Sequence, residues 1–237
     1  MKTITVYWTI LSDPDLHTTM NMLWDSPKPL ITLLPPGGNT EDSHNYRLCS
    51  GAQNIIKNTF AVVHPVTTSV KLGGTPETPV IEEKDGPWSV YPAPLKNSYR
   101  LDYDHSWAFF SEESVELQVT PPYMHNTFDK NNGMISSGGM NISKWFRPIN
   151  LSYILWEGQN SLTVKKGDPA IYFQFLTDKK IILKQFECTP EILSLSRQVV
   201  FTSLFLHLQP LKNRYPHFIK NNRHKRLLKL IKENSFD

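Results

Sequence analysis

From Thr59 to Phe186, short runs rich in β-branched and aromatic residues recur about every ten residues, and this rhythm constrains the fold more than any other feature. The runs are Thr59–Val63, Ser69–Leu72, Val80–Glu82, Trp88–Tyr91, Trp107–Phe110, Val115–Thr120, Leu151–Trp156, Ser161–Val164, Ala170–Leu176 and Lys180–Phe186. Ile4–Ile10 has the same character near the N-terminus. Val115, Leu117 and Val119 alternate with Glu116 and Gln118, which puts one face in a core and the other in water. Eighteen prolines, spread along most of the chain, break long helices and suit edge and turn positions. The expected architecture is mainly β, a sandwich or jelly-roll-like domain over residues 1–189, followed by a helical segment over 190–237. Six Trp, nine Tyr and twelve Phe supply large apolar surfaces for its core.

Local chemistry predicts finer detail. Gly167-Asp168-Pro169 punctuates the stretch Ser161–Phe175 as a hairpin, and Thr177-Asp178-Lys179 turns a second. Leu30–Leu34 reads as extended, and residues 13–26 as a short helix. Residues 124–144, rich in Gly and Asn, read as a long loop and the first place to look for a site. Thr189-Pro190-Glu191 places a hydroxyl cap, an N1 proline and a first-turn acid ahead of a helix running to about Leu208. Pro216 opens another towards Asn234.

Charge is unevenly spread. Between Lys212 and Lys232 lie eight basic residues and no acid, so the basic balance belongs to the tail and the body is mildly acidic. Lys220, Arg223, Lys225, Arg226 and Lys229 are the candidate contacts to nucleic acid or a partner, through phosphates or an apolar stripe. The plainer reading is a solvated helix covering a sheet edge. Two cysteines make no disulfide framework, and no apolar run is long enough for a bilayer. With no export signal at the N-terminus, the expected location is a reducing cytoplasm or a virion.

Motifs that fix a reaction are missing from the sequence. Gly37-Gly38, Gly73-Gly74 and Gly138-Gly139 lack the Gly-Lys-Ser/Thr that cradles phosphate, and no Gly-x-Ser-x-Gly elbow occurs. One constellation has chemical plausibility: His105 and His125 with Asp104, or Asp102, as a two-histidine-one-carboxylate set for Fe or Zn. In that alternative Arg147 anchors a co-substrate carboxylate, and Tyr123 lies beside the ligand. The leading expectation involves no cofactor.

The segments Asn58–Val66, Thr120–His125, Trp145–Asn150 and Lys165–Phe175, in that order, resemble a family of proteins encoded by tailed bacteriophages, marine ones especially, and by some bacteria. The likeness spans roughly residues 45–190. It implies a phage origin and a β-rich fold, and it carries no assigned activity. Together these readings favour a non-enzymatic phage-type binding or structural protein, self-assembling or bound to another phage or host protein. The alternatives are a metal-dependent enzyme of the double-stranded β-helix type and a nucleic-acid-associated protein acting through its tail.

Overall fold

The computed structural model describes residues 2–11, 24–34, 49–125, 132–200 and 215–236. In chain order the elements are β1 (Thr3–Leu11), β2 (Lys28–Pro29), α1 (Leu30–Leu33), α2 (Ser50–Ile56), β3 (Thr59–Val63), β4 (Thr68–Thr75) and β5 (Thr78–Asp85). Then come β6 (Trp88–Pro92), β7 (Tyr99–Ser111), β8 (Glu116–Thr120), β9 (Gly133–Ile135), β10 (Gly138–Asn141) and β11 (Ile149–Leu155). The chain continues through β12 (Ser161–Val164), β13 (Pro169–Leu176), β14 (Lys180–Gln185), α3 (Pro190–Val200), α4 (Tyr215–Lys220) and α5 (Arg223–Glu233).

The strands form three sheets in a sandwich-like, mainly β fold. The first has the order β14-β1-β7-β11-β9, with β6 also on β7; the second is β10-β8-β13-β3-β2; the third is β12-β4-β5. The first two face each other through aromatic rings. Phe173 of β13 meets Trp107 and Phe109 of β7 at 5.9 and 4.7 Å between centroids, within the range for favourable tilted pairs. The main core draws on all three sheets, with Val70 and Leu72 from β4 and Leu162 and Val164 from β12.

β7 organises the molecule because its two faces serve different neighbours. Tyr99, Leu101, Tyr103, His105, Trp107 and Phe109 point into the main core by simple alternation. The other face is polar at first, with Arg100, Asp102, Asp104 and Ser106, and then turns apolar at Ala108 and Phe110. That apolar end lies under the C-terminal helices. Phe110 packs with Phe146, Phe186, Ile192, Leu195, Phe218, Leu227 and Ile231 in a second cluster. α3, α4 and α5 therefore share a core with the first sheet.

Several local expectations need correction. Neither turn chemistry makes a hairpin: β12 pairs with β4, β13 lies between β3 and β8, and β14 runs parallel to β1. Both turns carry the chain from one sheet to another, because β13 is buried on both faces and takes partners distant in sequence. Asn58 braces the second corner. In the left-handed conformation (φ 57°), its Nδ2 donates to Thr177 O and Lys179 O, and its Oδ1 accepts from Ile181 N–H. Leu30–Leu33 is one helical turn instead of a strand, because its buried Leu30 seats against the outside of the second sheet beside Ala61 and Tyr172. Residues 133–135 and 138–141 within the expected loop are strands, while 126–131 lie outside the described residues. So does most of the expected helix over 13–26. The expected helix from Pro216 is two helices, broken at Asn222 in the left-handed region (φ 54°). α3 begins as expected, with Ile192 N–H on Thr189 Oγ1 at 3.4 Å. Among the described residues, no helix is long and apolar enough to cross a membrane.

Candidate functional site

One end of the main core is a chamber packed with polar-edged aromatic rings. β7 supplies Tyr103, His105 and Trp107, β6 supplies Trp88, β11 supplies Tyr153, and His64 follows β3. Trp24, from the segment leading into β2, sits among them. Its ring centroid lies 5.6 Å from His64, 5.8 Å from Tyr103, 5.9 Å from His105 and 5.0 Å from Trp107. Trp88 stands edge-on to Tyr103 at 4.8 Å and to Tyr153 at 5.9 Å.

β7 reaches this place with a break in its ladders. On one side Tyr103 pairs with Leu151 and Ser106 with Asn150; on the other Tyr103 pairs with Trp88 and Ser106 with Leu11. Both registers skip Asp104 and His105, and Asp104 N–H turns to Pro87 O at 2.9 Å. Such irregularities re-aim a side chain and recur next to active sites. Two skipped residues preserve the alternation, so His105 still faces inward with Tyr103 and Trp107.

Burial sets the electrostatics. His64 and Tyr153 share a 2.8 Å hydrogen bond between Nε2 and the phenol oxygen. Desolvation pushes the His64 imidazole down to about 3, so it is neutral at physiological pH. Tyr103 is pushed up to about 12, first by burial and then by the charge of Asp85. Tyr153 is raised still further by burial, with Asp168 and Tyr103 adding to it. His64, Tyr103 and Tyr153 therefore act as neutral donors and acceptors, with the carboxylates of Asp85 and Asp168 nearby.

The chamber's distinguishing feature is what its polar edges lack. The indole N–H groups of Trp24, Trp88 and Trp107, the Tyr103 phenol and the Thr68 hydroxyl are all buried, and none has a hydrogen-bond partner among the described residues. Native interiors hold few such groups, and each costs about 1–3 kcal/mol when left unsatisfied. Gly86 lets two of them come close. Its φ is +108°, and a Cβ there would lie 3.1 Å from Thr68 Cγ2 and 3.5 Å from Trp88 Nε1, so a side chain would crowd both.

The residues singled out as metal ligands occupy different sides of the fold. His105 faces the chamber, whereas Asp104 lies on the opposite face of β7 and accepts a hydrogen bond from Ser89 at 2.9 Å. His125 lies outside the second sheet: Nδ1 is hydrogen-bonded to the Tyr172 phenol, and Nε2 reaches Leu33 O at 3.3 Å. Asp102 shares the outward face of Asp104, ion-paired with Arg100 at 3.3 Å and accepting from Ser152 at 2.6 Å. The set does not converge, because alternation separates Asp104 from His105 and the thickness of the second sheet separates both from His125. Among the described residues, no group of three His, Cys, Asp or Glu is placed to hold a metal ion.

Tyr123 stacks edge-on against Tyr172 at 5.5 Å, beside His125, while Arg147 lies over the Trp145 ring at 5.2 Å and lines a separate cleft. The tail cations are divided. Arg226 pairs with Glu191 of α3 through Nε at 3.0 Å, and Lys229 approaches Glu233 at 3.8 Å along its own helix. Lys220 and Lys225 are exposed and Arg223 half-buried. Sequence reasoning missed His64, Trp24, Trp88 and Tyr153. The strand alternation through Tyr99, Leu101 and Tyr103 was the signal that would have placed Tyr103 and His105 inside together.

No family model matches the chain, and no curated protein matches it.

Proposed function

We propose that this is a binding protein without catalytic activity, whose β scaffold admits a small uncharged compound bearing hydrogen-bond acceptors into the aromatic chamber. The observation that carries the reading is the group of five buried donors from Thr68, Trp24, Trp88, Tyr103 and Trp107 without partners among the described residues. Aromatic walls favour a flat, largely apolar body, and unmet N–H groups favour carbonyl or ether oxygens on it. Neutral His64 and the carboxylates of Asp85 and Asp168 argue against an anion. The order of its segments supports assigning the protein to phages, where it serves as a binding or structural component.

The test uses benzamide, an uncharged ring with one carbonyl acceptor. Saturable quenching of tryptophan fluorescence is expected, with the amide oxygen located on an indole N–H in crystals soaked with the same compound. Crystals in which these five groups hold ordered water alone and exclude benzamide would overturn the reading. So would preferential binding of choline, which would make the rings a cage for a cation.

A further inference from the structure

The polar half of β7's outer face opens onto a cleft of about 380 Å³ that lies on the other side of the sheet from the chamber. It forms where the chain leaves the first sheet for the second. β9 ends at Ile135, Ser136 and Ser137 cross over, and β10 begins at Gly138. Ser136 N–H donates to Ser152 O at 2.8 Å, which pins the crossing against β11.

Two guanidinium groups line this cleft, Arg100 on β7 two residues from the Asp102 carboxylate and Arg147 in the segment leading into β11. Arg100 lies over the Tyr91 ring at 4.7 Å, and Arg147 over the Trp145 ring at 5.2 Å. Nε of Arg100 faces Asp102 at 3.3 Å and Nε of Arg147 donates to Pro148 O at 3.2 Å, and a guanidinium carries five donors in a planar fork that suits carboxylate and phosphate oxygens. Asp102 accepts from Ser152 and pairs with Arg100, so it holds that fork from one side. Asn150 accepts the Ser106 hydroxyl at 2.7 Å through Oδ1, which fixes its amide orientation and turns Nδ2 outward as a further donor. The floor is narrow-sided: a Cβ on Gly138 would meet nothing within 4 Å, so the backbone there borders open space.

We infer that this cleft is a second binding site, for a small organic anion whose carboxylate or phosphate oxygens are gripped by Arg100 and Arg147. The volume exceeds what a bare inorganic ion fills and falls at the small end of ligand pockets. The site is independent of the chamber, because β7 separates the two and no residue lines both.

The experiment is titration calorimetry of the full chain at low salt with citrate and, separately, with glycerol 3-phosphate. At least one of the two is expected to bind, and the stronger arm identifies the head group. Arg147→Gln and Arg100→Gln are each expected to weaken that binding by about tenfold or more, as loss of a charge-assisted bidentate contact does. Gly138→Trp is expected to abolish it by occupying the cleft. Gly138 does not have a positive φ, so this variant keeps the fold, and unchanged benzamide binding in it confirms that. Absence of heat with both anions, or binding that survives Gly138→Trp undiminished, would overturn the inference without touching the chamber.

Discussion

Both faces of β7 are packed with aromatic rings, yet the two clusters they build differ at the ring edges. On the outer face, Phe110, Phe146, Phe186 and Phe218 gather beneath Leu227 and Ile231, with Arg226 and Lys232 paired to Glu191 and Glu112 above them, and the buried polar ring edges there are those of Trp145 and His224. On the inner face, Trp24, Trp88, Trp107 and Tyr103 bring polar edges into the interior without partners for them. A cluster selected for stability alone has no reason to retain such groups, since phenylalanine offers similar area without the desolvation cost. The proposed binding role rests on the inner cluster's buried donors.

Substitutions can break or sharpen that contrast. Leu227→Ala removes a fully buried side chain from the outer cluster and is expected to cost about 2–5 kcal/mol in urea unfolding. Benzamide binding in the same variant should be unchanged below the transition; parallel loss of both would merge the two regions into one.

In the chamber, Tyr153→Phe takes the hydrogen bond from His64 and should cost about 1–3 kcal/mol. Tyr103→Phe, by contrast, deletes a hydroxyl that has no partner among the described residues and is expected to leave stability within about 1 kcal/mol of wild type or slightly above it. The two variants differ by one oxygen atom each, so equal destabilisation would remove the distinction between satisfied and unsatisfied edges.

Acid should act on the chamber before it acts on the outer cluster. The His64 imidazole is depressed from 6.5 to about 3 by burial, so the unfolded chain binds the extra proton between those values. Its contribution is present in full above pH 6.5 and is lost as the pH falls towards 3, with a slope of about 1.4 kcal/mol per pH unit. Denaturant melts from pH 7 to 4 should show this slope, and His64→Gln should flatten it. The smallest effect is expected for Arg226→Ala, whose partner Glu191 is also solvent-exposed. A loss of about 0.2–1 kcal/mol, shrinking with added salt, is the outcome to check.

The strands were legible because alternation survives in a single sequence. Thr59–Val63 and Ser161–Val164 coincide with β3 and β12, and the aromatic runs elsewhere fall on strands, overrunning them by one residue at Trp156 and Phe186. Pairing was not legible. Gly167-Asp168 and Thr177-Asp178-Lys179 have turn chemistry, but a turn says only that the chain changes direction, and here it changes sheet. Asp102 and Asp104 disguised the first half of β7, since acids beside histidine suggest a loop when the residues between them are not compared as a period-two series. His105 was identified as a site residue for its chemistry, and the ladder break explains its placement, but its neighbours come from four other segments. Trp24 and His64 lie 40 residues apart in sequence, a juxtaposition that no local pattern encodes. The Gly-rich stretch near residue 138 borders the cleft, and a Cβ on Gly138 would meet nothing within 4 Å.

β1 lies between β7 and β14, with Thr3–Trp8 in register with Lys180–Gln185. Its slot cannot exist until nearly three-quarters of the polypeptide has been synthesised beyond it. β7 can receive one edge of β1 once residue 111 has been made, but the other edge stays open until β14 follows, so Ile4, Val6 and Trp8 wait long for their full packing. Production at lower temperature or with a chaperone that shields short apolar segments should raise the yield of native protein, and shortening the chain before residue 180 should leave that strand permanently without its parallel neighbour.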